Sequence, residues 1–342
     1  MDPIPFFVGA VLLGVAVVDL LWTTLWVEGG AGPLTSRLMA WTWSVFKRIG
    51  DRNSRLLTLA GPAILVVGLS VWILLLWAGW TLIFASGAHP LIDTIDKGPL
   101  SWFEHVYVTG YTIFTLGNGD YVPRDGVWQL AVTLATASGM LFVTLIVTYV
   151  LSVLDAVTQK RSFASDVSGL GTSGDEIVRA GWDGEEFRGL EVPLNDLASQ
   201  LNTLTENHKA YPILHYFHSN QRSRAPVASI AALDDALTLF RFGVSDGDRP
   251  DDITVKTVRA SVHSYLETLH DTFVEPADRT PPAPTLEPLR NAGVPTVSDE
   301  AFDAAVVDLD ERRRRLLALI SSDVRQWPTS EPMSAAPSPR EQ

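Results

Sequence analysis

Three long apolar runs dominate the first half of the chain. They cover residues 3–27, 56–86 and 127–154, and Asp19 is the one charged residue inside them. A helix needs about 20 mostly apolar residues to cross the hydrocarbon core of a bilayer. The pattern therefore predicts three transmembrane helices. The first run does not resemble a secretory signal peptide, because it lacks a basic n-region and its apolar stretch is too long.

A basic, amphipathic segment lies between the first two runs. Residues 33–48 predict an interfacial helix whose apolar side comprises Leu34, Leu38, Met39, Trp41, Trp43 and Phe46. The same loop carries Arg37, Lys47, Arg48, Arg52 and Arg55. The positive-inside rule places this loop in the cytoplasm, the N-terminus outside and the C-terminal half inside. The alternative for residues 33–48 is a plain surface helix.

The connection between the second and third runs, residues 87–126, is too apolar for a free loop. Residues 100–116 show a short helical pattern, and the Gly-containing string Thr115-Leu116-Gly117-Asn118-Gly119-Asp120 follows it. Such a segment can re-enter a membrane only where protein buries it or where it lines a water-filled path. A ring of backbone carbonyls could replace the water shell of a cation there.

This string resembles the selectivity filter of the potassium-channel superfamily, Thr-Val-Gly-Tyr-Gly-Asp, in the same order of span, pore helix, filter and span. The resemblance implies a homotetramer in which Thr115, Leu116, Gly117, Asn118 and Gly119 form the ion-coordinating filter. It places Asp120 at the outer mouth and makes Gly139 the gating hinge of the inner helix. The implied bound species is permeant K⁺, with no other metal and no cofactor.

Two positions depart from the family pattern. Asn118 stands where the family carries Tyr or Phe, and Phe114 stands where it often carries Thr. Asn118 can hydrogen-bond behind the filter but cannot fill the volume of an aromatic ring. Two alternatives therefore stay open beside a potassium channel: a nonselective monovalent cation channel, and a non-conducting membrane sensor or scaffold that reuses the pore fold.

Several acidic residues bear on this hypothesis. Asp93, Asp96, Glu104 and Asp125 would add negative charge on the side of Asp120 and concentrate cations there, or they are ordinary loop carboxylates. Asp19 lies within the first span, where a charge is costly. We expect Asp19 to have a structural role.

The second half of the chain is polar and mostly helical in pattern. Helices are predicted at residues 192–208, 225–242, 252–273 and 298–327, with Asp251 or Asp252 and Ser298 as N-caps. Residues 169–174 match the Gly-x-Gly-x-x-Gly string of nucleotide-binding folds. However, the preceding residues are unlike a strand, which favours a turn and helix start. In residues 312–315, four Arg follow three acids, which predicts a solvated helix with salt bridges.

Composition and charge narrow the function. The chain has 342 residues, 46% hydrophobic and 19% charged, with a net charge of −13. Most of that acidity belongs to residues 160–342, and it argues against nucleic-acid binding. The sequence has no Cys, which excludes disulfides and thiol catalysis, and it shows no motif of an enzyme. The 5 Lys against 21 Arg favour a prokaryotic source.

The sequence thus predicts an all-α membrane protein with three transmembrane helices, a re-entrant pore helix and filter, and a helical cytosolic domain. The expected location is the plasma membrane, and a cytosolic ligand or regulator could act on the C-terminal domain. The expected parts are the first span with the interfacial helix (1–54), the pore module (55–159), the cytosolic domain (160–327) and a disordered tail (328–342). Within the pore module we expect the outer helix at 55–87, the pore helix at 100–115, the filter at 115–120 and the inner helix at 126–156.

Overall fold

The chain is an all-α membrane protein, as the sequence predicts. A computed structural model describes residues 1–27, 30–50, 57–95, 98–219, 221, 225–273, 275–323 and 325–328. It forms two compact units, one of Met1–Asp155 with Lys209–Phe217 and one of Ala156–His208 with His218–Gln342. Some predictions fall outside the described residues. They are the boundary at residues 54 and 55, the role of Arg52, Arg55 and Asp96, and the expected tail beyond its first residue.

Within the described residues, three helices are long and apolar enough to cross a membrane: α1 (Pro3–Leu25), α3 (Ala60–Ala85) and α5 (Val127–Leu170). Helix α2 (Pro33–Gly50) follows α1. The backbones of α1 and α3 approach closely, since a Cβ added at Gly9 would lie 2.6 Å from the carbonyl oxygen of Gly79. Small residues at such crossings are typical of membrane helices.

The connection from α3 to α5 holds a short helix and a strand pair. Helix α4 (Trp102–Ile113) begins with a capping box, in which Ser101 and Glu104 satisfy each other's backbone N–H groups. Strands β1 (Leu91–Asp93) and β2 (Tyr121–Pro123) pair antiparallel, with Ile92 opposite Val122. The sequence did not indicate this pair, because three residues are too few for a visible alternation.

Helix α5 corrects the expected inner helix at 126–156, because it continues to Leu170. The prediction ended the helix where the apolar run ended. Residues 155–168 contain no Pro or Gly to stop a helix, and they place Phe163 and Val167 in the core of the second unit. The part of α5 up to Asp155 belongs to the first unit, and the part from Ala156 onward belongs to the second unit.

Helices form the core of the second unit. On the helix Glu191–Ala210, four leucines at helical spacing are buried: Leu194, Leu197, Leu201 and Leu204. A π-helical turn at Leu239–Gly243 extends the helix Pro226–Thr238. The helices of this unit after α5 are α6 (Gly174–Ala180), α7 (Glu191–Ala210), α8 (Pro226–Thr238), α9 (Asp252–Phe273), α10 (Glu287–Asn291), α11 (Asp299–Val307) and α12 (Asp310–Ser322).

The segment expected as one helix at 298–327 forms two, α11 and α12, separated at Asp308 and Leu309. Ser298 caps α11 as predicted, since its hydroxyl accepts from the backbone N–H of Ala301. The glycine string at 169–174 spans the end of α5 and the start of α6, which confirms the turn. The residues before it are helical, so they supply no strand for a nucleotide-binding unit.

The prediction of a solvated Arg cluster was wrong for its first two members. Arg313 is buried with a side-chain exposure of 1% and binds Asp235 of α8, and Arg312 Nε lies 2.9 Å from Asp234 Oδ1. Only the pair of Arg315 with Glu311 has the expected i, i+4 form. Partners 78 residues apart leave no local signal in a sequence.

Residues Lys209–Phe217 belong to the first unit, although the sequence placed them inside a continuous domain at 160–327. They include a 3₁₀ helix at Pro212–Tyr216. The Tyr216 ring lies 5.7 Å from that of Trp43 on α2. The Phe217 ring occupies the space beside Gly61 of α3, where an added Cβ would lie 2.7 Å from it. This short helix therefore packs on the membrane unit.

Candidate ion-conduction site

The filter segment follows directly from the end of α4. The backbone N–H of Thr115 donates to Thr112 O at 3.1 Å, and that of Leu116 donates to Tyr111 O at 2.8 Å. The φ angles of Thr115, Gly117 and Gly119 are +58°, +61° and +81°. Positive φ at every second residue is unlike a β-strand, and Gly adopts it without a Cβ penalty. Gly117 and Gly119 therefore fit the backbone that this segment adopts.

Residues 114–120 are all exposed in the single chain. The apolar Leu116 is 66% exposed and Phe114 is 47% exposed. Exposed apolar side chains next to a strained residue such as Thr115 are typical of a functional surface. They are less typical of a protein that functions as a monomer.

Asn118 is held from behind by a tyrosine of α4. Its amide Nδ2 donates to the hydroxyl of Tyr107 at 2.5 Å. The Tyr107 ring packs edge-to-face against Tyr111, with ring centroids 5.3 Å apart, and lies 6.5 Å from Tyr121. We call Tyr107, Tyr111 and Tyr121 the tyrosine cuff. The sequence carries a signal for it, namely the i, i+4 spacing of Tyr107 and Tyr111 on the pore helix and a Tyr directly after the filter segment.

Hydrogen bonds tie the cuff to the residue that follows the filter segment and to the first turn of α4. The Tyr111 hydroxyl donates to Tyr121 O at 3.2 Å, and the Tyr121 hydroxyl donates to Glu104 Oε1 at 3.1 Å. Beyond the filter, the backbone N–H and hydroxyl of Thr94 both donate to Asp120 O at 2.9 Å. The strand pair thereby fixes the point where the chain leaves the filter.

The acidic residues near the filter have different roles. Asp120 is exposed at the end of the filter, where an outer mouth was expected. Glu104 is structural, because it completes the capping box of α4 and accepts the Tyr121 hydroxyl. Asp93 accepts from the backbone N–H of Ile95, and Asp125 accepts from the side chain of Gln129.

Comparison with known proteins agrees with this layout. The profile of a family described as "Ion channel" matches residues 69–156, which contain α4, the filter segment and the apolar part of α5. The chain belongs to the pore-loop cation-channel superfamily. The match covers the pore module of this channel protein and none of the residues after 156. No solved structure matches the chain.

A second similarity extends over nearly the whole channel protein. It is 43% identical over 323 residues to "Uncharacterized membrane protein YdjJ" of Bacillus subtilis (strain 168). The alignment covers 94% of this chain and 95% of that protein. The two are members of one family of membrane proteins, and their alignment extends over the second unit as well as the pore module of this chain.

In this channel protein, α3 holds the pore helix through Trp77. The indole Nε1 donates to Val106 O at 2.8 Å, and the ring packs edge-to-face on Phe114 with centroids 6.2 Å apart. Gly110 makes room for the same ring, since an added Cβ there would lie 2.6 Å from it. Phe114, the second departure from the family pattern, is thus part of the packing between α3 and α4.

Gly139 lies within unbroken helix on α5 and is buried. Its nearest neighbour outside that helix is the backbone of Ile113, the last residue of α4. The hinge role that the resemblance implies for Gly139 stays a prediction. The contact with the pore helix was not visible in the sequence.

Proposed function

We propose that the protein is a homotetrameric pore-loop channel that conducts K⁺ passively across the plasma membrane. The observation that carries this proposal is the segment Thr115–Asp120, with its alternating positive φ values and its full exposure in one chain. One chain supplies one such segment, and a dehydrated ion needs a ring of oxygens. Four copies around an axis would supply that ring and cover Leu116.

The support for potassium lies in the backing of the filter. The bond from Asn118 to Tyr107 and the tyrosine cuff brace the segment from behind, where the family pattern uses an aromatic filter residue. A braced filter favours one ion size over another. The competing function is a nonselective monovalent cation channel, and the smaller side chain of Asn118 is the observation in its favour.

The second unit would modulate opening. Helix α5 continues from the proposed pore into this unit without interruption as far as Leu170. A ligand or partner that changes the conformation of the second unit could therefore act on the proposed pore, because the backbone of α5 continues from one to the other. In the proposed topology the N-terminus is outside and the second unit is cytoplasmic, because the basic residues around α2 favour the cytoplasmic side.

The deciding experiment is the reversal potential of the full-length chain in planar bilayers, with K⁺ on one side and Na⁺ on the other. We expect a cation current whose reversal potential shows a preference for K⁺. A reversal potential of zero would contradict selectivity for K⁺ and would support a nonselective monovalent cation channel. Absence of current for any cation at any voltage would overturn the channel proposal in favour of a scaffold.

A variant pair assigns the current to this filter. Gly117→Ala places a Cβ on a residue with φ of +61°, and we expect it to abolish or strongly reduce the K⁺ current. Gly68→Ala is the matched control, because nothing lies within 4 Å of a Cβ added at Gly68 on α3. An unchanged current in Gly117→Ala would show that the ions pass elsewhere.

A further inference from the structure

Gly139 of the inner helix lies in backbone contact with Ile113, the last residue of the pore helix. A Cβ added at Gly139 would lie 1.9 Å from the carbonyl oxygen of Ile113, 2.7 Å from its carbonyl carbon and 2.9 Å from its Cα. All three atoms belong to the backbone, so no rotamer change could relieve the contact. The carbonyl oxygen of Ile113 occupies the place that a side chain would take.

This contact lies directly before the filter segment. Ile113 is the last residue of α4, it is 2% exposed, and Thr115 begins the filter segment two residues later. Next to Gly139, Ser138 accepts a hydrogen bond at 3.0 Å from Trp80 Nε1 of α3. The part of α5 that touches the pore helix is therefore itself fixed to α3.

We propose that Gly139 is a positioning residue for the selectivity filter, because it provides the backbone surface on which the C-terminal end of the pore helix rests. This inference rests on the proposed channel function. It differs from the hinge role, which concerns how α5 bends when the pore opens. A hinge residue sets the open probability, whereas a positioning residue beneath the filter sets which ions pass.

The test is Gly139→Ala in the full-length chain, measured as the K⁺/Na⁺ permeability ratio in bi-ionic bilayers. The added methyl group must displace Ile113 and with it the start of the filter. We expect the ratio to fall by about fivefold or more. A fivefold change corresponds to about 1 kcal/mol, which is the smallest usual cost of overpacking a core. Gly68→Ala makes the same chemical change on α3 without a contact, so its ratio should equal that of the wild type.

Gly139→Ala could prevent assembly when all four copies carry it. A linked tetramer with one mutated copy then serves as the second variant, since three unaltered copies keep the pore together. We expect this tetramer to show a smaller loss of selectivity in the same direction.

Three outcomes distinguish the positioning role of Gly139, its hinge role and the failure of the proposed channel function. Lower selectivity in Gly139→Ala, or in the linked tetramer, supports the positioning role. Unchanged selectivity with an altered open probability overturns it and leaves the hinge. A wild-type chain that passes no current overturns the channel proposal itself, which is a different result.

Discussion

The hydrogen bond between Asn118 and Tyr107 distinguishes the proposed filter from the family pattern, in which an aromatic residue stands at this position. Tyr107→Phe removes the acceptor and keeps the ring packed against Tyr111. We expect a fall of roughly two- to tenfold in the K⁺/Na⁺ permeability ratio, since the loss of a hydrogen bond costs about 0.5–1.5 kcal/mol. Reversal potentials in bi-ionic bilayers measure it.

Tyr149→Phe is the matched control for this change. The Tyr149 hydroxyl is buried on α5 and has no hydrogen-bond partner among the described residues. Its removal should leave selectivity unchanged. Equal permeability ratios in Tyr107→Phe and the wild type would show that the bond to Asn118 does not brace the filter.

Asp19 is the second residue whose role the structure makes specific. Its Oδ1 accepts from the backbone N–H groups of Leu34 at 2.8 Å and Thr35 at 3.2 Å, at the start of α2. Its Oδ2 accepts from the Thr35 hydroxyl and, at 2.8 Å, from Trp72 Nε1 of α3. A buried carboxylate in α1 therefore caps α2 and joins three helices, which agrees with the structural role expected from the sequence.

Asp19→Asn should destabilise the protein, because its amide group would face donors that need an acceptor. We expect the free energy of unfolding in detergent to fall by about 1–3 kcal/mol. Asp2→Asn is the control, since Asp2 is an exposed N-cap of α1 and Asn caps equally well. The same unfolding midpoint in Asp19→Asn and the wild type would contradict the three-helix role.

Among the elements, helices with a strong apolar pattern were predictable, whereas their limits were predictable only where a capping residue marks them. The observed bounds of α9, Asp252–Phe273, equal the predicted ones, because Asp251 caps the helix and an amphipathic stripe fills it. The end of α5 and the break between α11 and α12 were missed. Both depend on which surface packs over the helix, and local sequence does not encode that.

The site divides in the same way. The filter string could be recognised because its glycines carry a backbone requirement that a sequence displays directly. The contact of Gly139 with Ile113 and the pairs of Arg312 and Arg313 with α8 could not be derived, because each joins different elements and the residue types involved fit many other partners. The tyrosine cuff had a signal in its residue spacing, but the hydrogen bond of the Tyr121 hydroxyl to Glu104 did not.

The end of α12 is attached to the segment after Phe217 by a partly buried charged cluster. Asp323 Oδ1 lies 2.6 Å from His218 Nδ1, and its Oδ2 lies 2.7 Å from Arg325 Nε. Burial alone would raise the pKa of Asp323, but the hydrogen bond and charge of His218 and the charges of Lys160 and Arg325 hold that pKa below its usual value. The ionised carboxylate therefore stabilises the second unit.

This shift predicts a pH dependence with a definite sign. A carboxylate with a lowered pKa contributes stability above its unfolded pKa of about 3.9, and loses it as the pH falls through the folded-state value. Asp323→Asn should lower the free energy of unfolding by about 1–3 kcal/mol at pH 7 and by progressively less below pH ~4. Denaturant titrations at a series of pH values measure it. Asp303→Asn, an exposed acid on α11, is the control, and a constant deficit at every pH would refute the assignment.

At the scale of the whole molecule, the 43% identity to the Bacillus subtilis relative extends over both units, whereas the channel-family match ends at residue 156. The similarity to this relative therefore includes the second unit as well as the pore module. A passive pore needs no such unit, which is why we propose that the second unit controls opening.

The last prediction concerns the assembly itself. A single chain leaves Leu116 and the rest of the filter segment exposed, and the sequence has no Cys for a disulfide between subunits, so packing alone must hold the channel together. Native mass spectrometry of the detergent-purified protein should give about 150 kDa, four times the 37.4 kDa of one chain. Chains with two different tags should co-purify after co-expression but not after mixing. A predominant mass of one or two chains would leave the filter without its ring of carbonyls, and the proposed conduction pathway would then fail.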